Sequence, residues 1–280
     1  MKVLFVATVM AHIKSFHIPY LKWFKEQDWE VHVLANTNIE LPYCDKKYVV
    51  PIERAPFKIN NLIAYKMLKE ILHIEEYDII HCHTPMGGVL TRLAAKNLRK
   101  NGTKVIYTAH GFHFFKGAPL INWLAYYPIE RFLARYTDIL ITINKEDYER
   151  AKKFKAGKIE YIPGVGIDTK KFNEVKIDRS KKRKEIGVTE EAFTILSVGE
   201  LNRNKNHEIV IRALAKCKKE NIHYVICGDG VLKSYLKQLA EKLGVGDQVH
   251  LLGYRNDIPE IYKAVDLFVF PSFREGLSVA

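Results

Sequence analysis

Short runs of β-branched and aromatic residues alternate with helix-period segments from the first residue onward, and this alternation constrains the fold more than any other feature. The runs are KVLFVA (2–7), EVHVLA (30–35), YDIIHC (77–82), KVIYTA (104–109) and DILITI (138–143). They are apolar at most positions, as strands covered on both faces are. Between them, NLIAYKMLKEILH and GGVLTRLAAKNLRK space apolar side chains three and four residues apart, the mark of helices with one buried face. Strands alternating with helices predict βαβ units and a parallel sheet.

The pattern pauses at IPGVGIDTKKFNEVKIDRSKKRKEIGV, where two close glycines, a proline and the charge run 179–185 suit an interdomain connection. It restarts with FTILSVG (193–199), a helix near 207–219, HYVICGDG (223–230), a helix over 232–242, VHLLG (249–253) and LFVFPS (267–272). The expected fold class is α/β: two Rossmann-like domains with parallel sheets, residues 1–165 and 166–280.

The formal charge of +12, larger in the first domain, suits an anionic partner such as nucleic acid, a phosphorylated ligand or an acidic membrane face. No nucleic-acid-binding motif accompanies it, so nucleic acid is not an expected partner. No window holds the roughly 18–20 apolar residues of a membrane span. The N-terminal apolar run reads as a strand rather than a signal peptide, which predicts a cytoplasmic protein. Four cysteines without C-x-x-C spacing predict reduced thiols.

In such sheets, ligands gather where strands end and helices begin. SVGELNRNKNHE puts Arg203 and Lys205 in one such turn, where cations and helix N-terminal amides suit a diphosphate; a solvated basic turn is the alternative. ICGDG places Gly228 and Gly230 in another, either letting a ligand approach the backbone or simply turning the chain. There is no Walker loop and no complete dinucleotide fingerprint. His110 closes a strand beside a glycine, His81 and His83 lie on one side of a strand end, and His12 and His17 follow the first strand; these read as polar pocket lining ahead of a metal site. INWLAYYPIERFLARY, with Trp123, Tyr126 and Tyr127, reads as a core helix or as an exposed surface for a lipid acceptor or the bilayer interface.

Taken together, SVGELNRNKNH, IPGVGIDTKKF, ICGDGVLKSYLKQLAEKLGV, LLGYRNDIPEIYKAVDLFVFPSFREGL and YTAHGF resemble the retaining family-four glycosyltransferases of GT-B fold, in particular the bacterial capsular and exopolysaccharide branch. The resemblance implies two Rossmann-like domains facing a cleft, the first binding acceptor and the second binding a nucleotide-sugar donor. It implies that His110 is the cleft histidine near the transferred sugar and Lys205 the lysine on the donor diphosphate. Gly228 and Gly230 correspond to the turn beside the nucleotide, and Tyr254 and Arg255 to the segment bordering the base. Glu275 corresponds to the first carboxylate of an E-x7-E motif, with Ser272 and the amides of Gly276, Leu277 and Ser278 around the sugar and phosphates. The usual Gly-Arg-Leu is Gly199–Glu200–Leu201 here, so Arg203 is the substitute phosphate cation. The second carboxylate would fall at position 283, past Ala280, which predicts a C-terminally truncated second domain.

The expected function is transfer of a sugar, with retention, from a nucleoside-diphosphate donor, expected to be UDP-linked, to a lipid-linked or polysaccharide acceptor in cell-surface polysaccharide synthesis. No cofactor or metal is expected, and contact with an anionic membrane is. The competing readings are a non-catalytic nucleotide-sugar-binding fragment and a GT-B nucleotide-sugar epimerase.

Overall fold

The computed structural model describes residues 1–275. The chain divides into two compact units, Met1–Val165 and Gly166–Ala280. In the first, β1 (Lys2–Val6) is followed by α1 (Met10–Phe16), α2 (Ile18–Glu26), β2 (Glu30–Ala35) and β3 (Lys46–Val49). Then come α3 (Asn60–Glu75), β4 (Ile79–His83), α4 (Pro85–Ala95), β5 (Lys104–Ala109) and α5 (Leu120–Leu133). The unit closes with β6 (Ile139–Thr142), α6 (Lys145–Ala151) and β7 (Lys158–Tyr161). Its seven strands run in the order β3-β2-β1-β4-β5-β6-β7, all pairings parallel.

The run KVLFV shows why both faces must be covered. Val3 and Phe5 pack with Met10, Ile13 and Leu21 of the first two helices. Leu4 and Val6 point the other way, toward Ala64, Leu68 and Leu90 of α3 and α4. All four strand residues are fully buried, the outcome of a two-residue side-chain period between two helical layers.

The second unit contains α7 (Thr169–Asn173), α8 (Arg179–Glu185), β8 (Phe193–Val198), α9 (His207–Cys217) and β9 (Ile222–Cys227). α10 (Lys233–Lys242), β10 (Val249–Gly253), α11 (Ile258–Ala264) and β11 (Leu267–Phe268) follow. Its parallel sheet has the order β10-β9-β8-β11. Tyr224 and Ile226 face one core cluster and Val225 and Cys227 the other.

The charge run taken as part of a connection is helix α8 of the second unit. Asp178 caps it by accepting from the Lys181 amide at 3.0 Å. Arg183, 1% exposed, donates to Thr189 O at 3.0 Å, Ala264 O at 2.8 Å, Thr194 Oγ1 at 3.1 Å and Ala192 O. A cationic side chain thus anchors the helix that an apolar stripe would ordinarily anchor. The four cysteines are unpaired. Among the described residues, no helix is long and apolar enough to cross a membrane.

Candidate active site

In the second unit the loop after β8 is tied to the segment after β11 by a row of asparagines. Asn202 Oδ1 accepts from the Lys205 amide at 3.0 Å, shaping the turn. Asn204 Nδ2 donates to Arg274 O at 2.8 Å, the Phe273 amide donates to Asn204 O at 2.8 Å, and Asn206 Nδ2 donates to Pro271 O at 3.2 Å. Beneath them Ser197 Oγ, at the end of β8, donates to Val269 O at 2.8 Å. The stitching brings Lys205 Nζ to 2.8 Å from Glu275 Oε1 and to 4.7 Å from the Phe270 ring centroid. Ser272 Oγ, buried in the same segment, has no hydrogen-bond partner among the described residues.

Lys205, Ser272 and Glu275 therefore share one corner, while Arg203 stands exposed in the same turn. Gly199 leaves room for the lysine, since a Cβ there would lie 3.0 Å from Lys205 Cε. His207, the first residue of α9, is held neutral: burial lowers its pKa to about 4 and the nearby Lys205 charge adds to the effect. Its Nδ1 lies 3.0 Å from Tyr224 OH.

Gly228 and Gly230 have a packing reason to be glycine. A Cβ on Gly228, at φ 153°, would stand 1.9 Å from Gly199 O, and one on Gly230 would stand 2.7 Å from Leu201 O. The space is filled by the backbone of the neighbouring strand-to-helix loop, so these glycines let two loops close on each other. Tyr254 is 81% exposed. Arg255 is held by Asp257 at 2.8 and 2.5 Å and by Glu185; its partnership with Asp257 pulls that carboxyl well below the usual range. Gly276, Leu277 and Ser278 lie outside the described residues.

In the first unit, His110 joins a cluster drawn from three strand-to-helix segments. Its Nε2 lies 3.2 Å from His12 Nε2 and 3.4 Å from His83 Nδ1, and His17 stacks on His83 at 3.8 Å between centroids. Burial holds these imidazoles neutral, with pKa values lowered to about 4 for His110, about 3 for His12 and about 2 for His17. Beside them Thr84 has φ 64° and ψ 152°, a region otherwise confined to glycine and costly for a β-branched residue. Its Oγ1 is kept there by the Thr8 amide at 2.9 Å and the Thr8 hydroxyl at 2.7 Å.

His12 and Thr84 also border a cavity of 1110 Å³ whose other walls include Phe57, Leu62, Met86, Leu90 and Phe114. Trp123 and Tyr127 are not the exposed acceptor surface considered from the sequence: they pack against the core. Tyr126 stacks on His113 at 4.6 Å and lines the cavity. The outward apolar face of α5 is aliphatic instead, formed by Leu120, Ile121 and Leu124. The helix period turns 121 and 124 away from 123 and 126, and Leu120 is exposed at the first position of the helix.

Two family profiles fit the sequence: Glycosyl transferase 4-like over residues 2–144 and Glycosyl transferases group 1 over residues 178–280. EpsD of Bacillus subtilis (strain 168), named provisionally as a glycosyltransferase, is 48% identical over 99% of this chain and 74% of its own length. The chain belongs to the GT-B glycosyltransferases.

This glycosyltransferase is also 36% identical, over 77% of its chain and 56% of the relative, to an Escherichia coli UDP-Gal:alpha-D-GlcNAc-diphosphoundecaprenol alpha-1,3-galactosyltransferase. Among solved structures it superposes on Anabaena Alr3699/HepE with a TM-score of 0.79 at 21% identity, covering 99% of this chain and 76% of that one. WaaG, a glycosyltransferase of lipopolysaccharide biosynthesis, follows at 0.75 and 18%, covering 99% and 76%. At such identities the likeness shows the fold. The glycosyltransferase carries its lysine–carboxylate corner in the part matched by the group 1 profile and its histidine cluster in the part matched by the other.

Proposed function

We propose that the second unit binds a nucleoside-diphosphate sugar, UDP-linked, and that the sugar passes with retention to a saccharide carried on a lipid diphosphate, in cell-surface polysaccharide synthesis. The observation that carries the reading is the 2.8 Å pairing of Lys205 Nζ with Glu275 Oε1. A cation and a carboxylate at one corner match the two ends of such a donor. Lys205 takes the diphosphate and stabilises charge as it develops on the leaving group; Glu275, released from the lysine, accepts from sugar hydroxyls. Arg203, exposed in the same turn, adds a second cation, and Ser272 Oγ supplies a donor that has no partner among the described residues. His110, neutral, is assigned to a hydroxyl of the transferred sugar.

Relatives support the donor and acceptor classes. One uses UDP-Gal and a diphosphoundecaprenol-linked sugar. A Campylobacter jejuni relative, 27% identical over 89% of this chain, is named for a diphospho-undecaprenol-linked acceptor. The apolar cavity of the first unit, with Arg54 and Lys58 among its lining residues, suits an anionic lipid better than a free sugar. Phe57, fully exposed, and the aliphatic face of α5 are the surfaces assigned to a membrane contact.

The test is transfer of labelled sugar from UDP-sugar to a lipid-diphosphate saccharide. Lys205→Ala removes a charge-assisted contact worth roughly 1.5–3 kcal/mol, so the rate should fall about ten- to a hundredfold. A Lys205→Ala rate equal to that of the parent would remove the lysine from the mechanism.

A further inference from the structure

The histidine cluster of the first unit has a geometry that sugar recognition does not require. His12 comes from α1, His17 from the α1–α2 junction, His83 from the last position of β4, and His110 from the residue after β5. One ring nitrogen from each of the four lies within 4.8 Å of the others. Two of these separations, 3.2 and 3.4 Å, meet at His110 Nε2. A tetrahedral ion with metal–nitrogen bonds of about 2.0–2.1 Å requires ligand nitrogens about 3.3–3.4 Å apart. The two separations that meet at His110 Nε2 thus already stand at nearly the edge length of that tetrahedron.

The fourth histidine supplies an independent observation. His17 is 3% exposed, and neither of its ring nitrogens has a hydrogen-bond partner among the described residues. Leaving a buried donor or acceptor unmet is costly, and a ring rotation that turned one nitrogen toward a shared ion would satisfy it. The surroundings suit such a site: Phe5 stacks parallel to His83, and Phe16 packs at 5.0 Å from His12. The second grouping of ligand-type side chains, Glu30, His32 and Glu75, is different. There Lys2 and Lys46 hold the Glu75 carboxylate, leaving no need for an ion.

We propose that His12, His17, His83 and His110 form a binding site for a late first-row divalent ion of the zinc class. Four imidazoles without an oxygen ligand select Zn²⁺ or Co²⁺ over Mg²⁺ or Ca²⁺. The sequence alone does not reveal the site, because its ligands are spread over three separate strand-to-helix segments. Coordination through Nε2 leaves His110 Nδ1 for a sugar hydroxyl, and the site stands whether or not the donor assignment does.

The experiment is titration of the chelator-treated chain with Co²⁺ alone, then displacement by Zn²⁺ alone. The expected result is one equivalent of Co²⁺ bound, with the intense visible bands of a four-coordinate ion, bleached by Zn²⁺. His110→Ala and His17→Ala should each weaken binding more than about tenfold, since even outer-shell losses reach that size. His223→Ala, which disrupts the stacked His223–His250 pair of the second unit, should leave binding unchanged. If a cluster variant fails to fold, the wild-type spectrum and the His223→Ala control decide. No stoichiometric binding by the wild type, a six-coordinate spectrum, loss of binding in His223→Ala, or a folded cluster variant that binds as tightly as the wild type would each overturn the site.

Discussion

Lowering the pH of the chelator-treated protein from 7 to 5 is expected to remove much of its stability. Of five clustered histidines in the first unit, His17 and His83 are buried and His12, His81 and His110 half-buried, and desolvation disfavours their charged forms. The pKa is lowered to about 3 for His12 and His81, about 2 for His17, about 4 for His110, and well below its usual value for His83. In the unfolded chain each returns to about 6.5. Below that value the unfolded chain binds protons that the fold does not, so stability rises with pH and is lost as pH falls from 6.5 toward the folded values. Each such group contributes up to about 1.4 kcal/mol per pH unit. Together they cost on the order of several kcal/mol by pH 5, a large part of the stability of an ordinary domain.

Carboxylates held down by partners, such as Glu75 by Lys2 and Lys46, begin to weaken the fold only below their unfolded values near 4.5, so the window from 6.5 to 5 belongs to the histidines. Melting followed by circular dichroism should show the midpoint falling steeply between pH 6.5 and 5. A flat midpoint across that window would mean that the cluster is not buried as described.

The second large effect concerns the pair that joins α4 to α5. Arg92 is fully buried, its Nη1 lies 2.9 Å from Glu130 Oε2, and its guanidinium lies 3.9 Å from the Tyr107 ring centroid. Glu130→Ala leaves that cation with only Gly88 O, at 2.9 Å from Nε, and the ring. Breaking a buried pair from one side costs about 3–5 kcal/mol, or roughly 10 °C in melting midpoint for a unit of this size. Replacing both partners, as Arg92→Met with Glu130→Leu, should recover most of the loss, because no unpaired charge remains. Equal melting of Glu130→Ala and the parent would show that water already solvates Arg92 through the adjoining cavity.

Much of the fold is legible in the sequence because central strands are apolar on both faces. EVHVLA and KVIYTA match β2 and β5, and VHLLG matches β10. β3 and β7 escape the same reading: KKYV and KIEY are short, half polar and sit at the two edges of the sheet, where one side lacks a neighbour. α8 escapes because RSKKRKE has no apolar stripe, its hold on the core being Arg183. At the corner of the second unit, Lys205 and Glu275 are readable through their ordered motifs. Asn204 and Asn206, which bring them together from 70 residues apart, are not, since a side chain that bonds a distant carbonyl leaves no periodic trace. Arg92 and Glu130 are hidden for the same reason.

The most direct measurement is calorimetric titration of UDP into the wild-type chain and into Lys205→Ala. Saturable binding that weakens about ten- to a hundredfold on loss of the lysine is the expected result. Absence of UDP binding by the wild type, or equal affinity in both proteins, would contradict a diphosphate site at the corner where Lys205 meets Glu275.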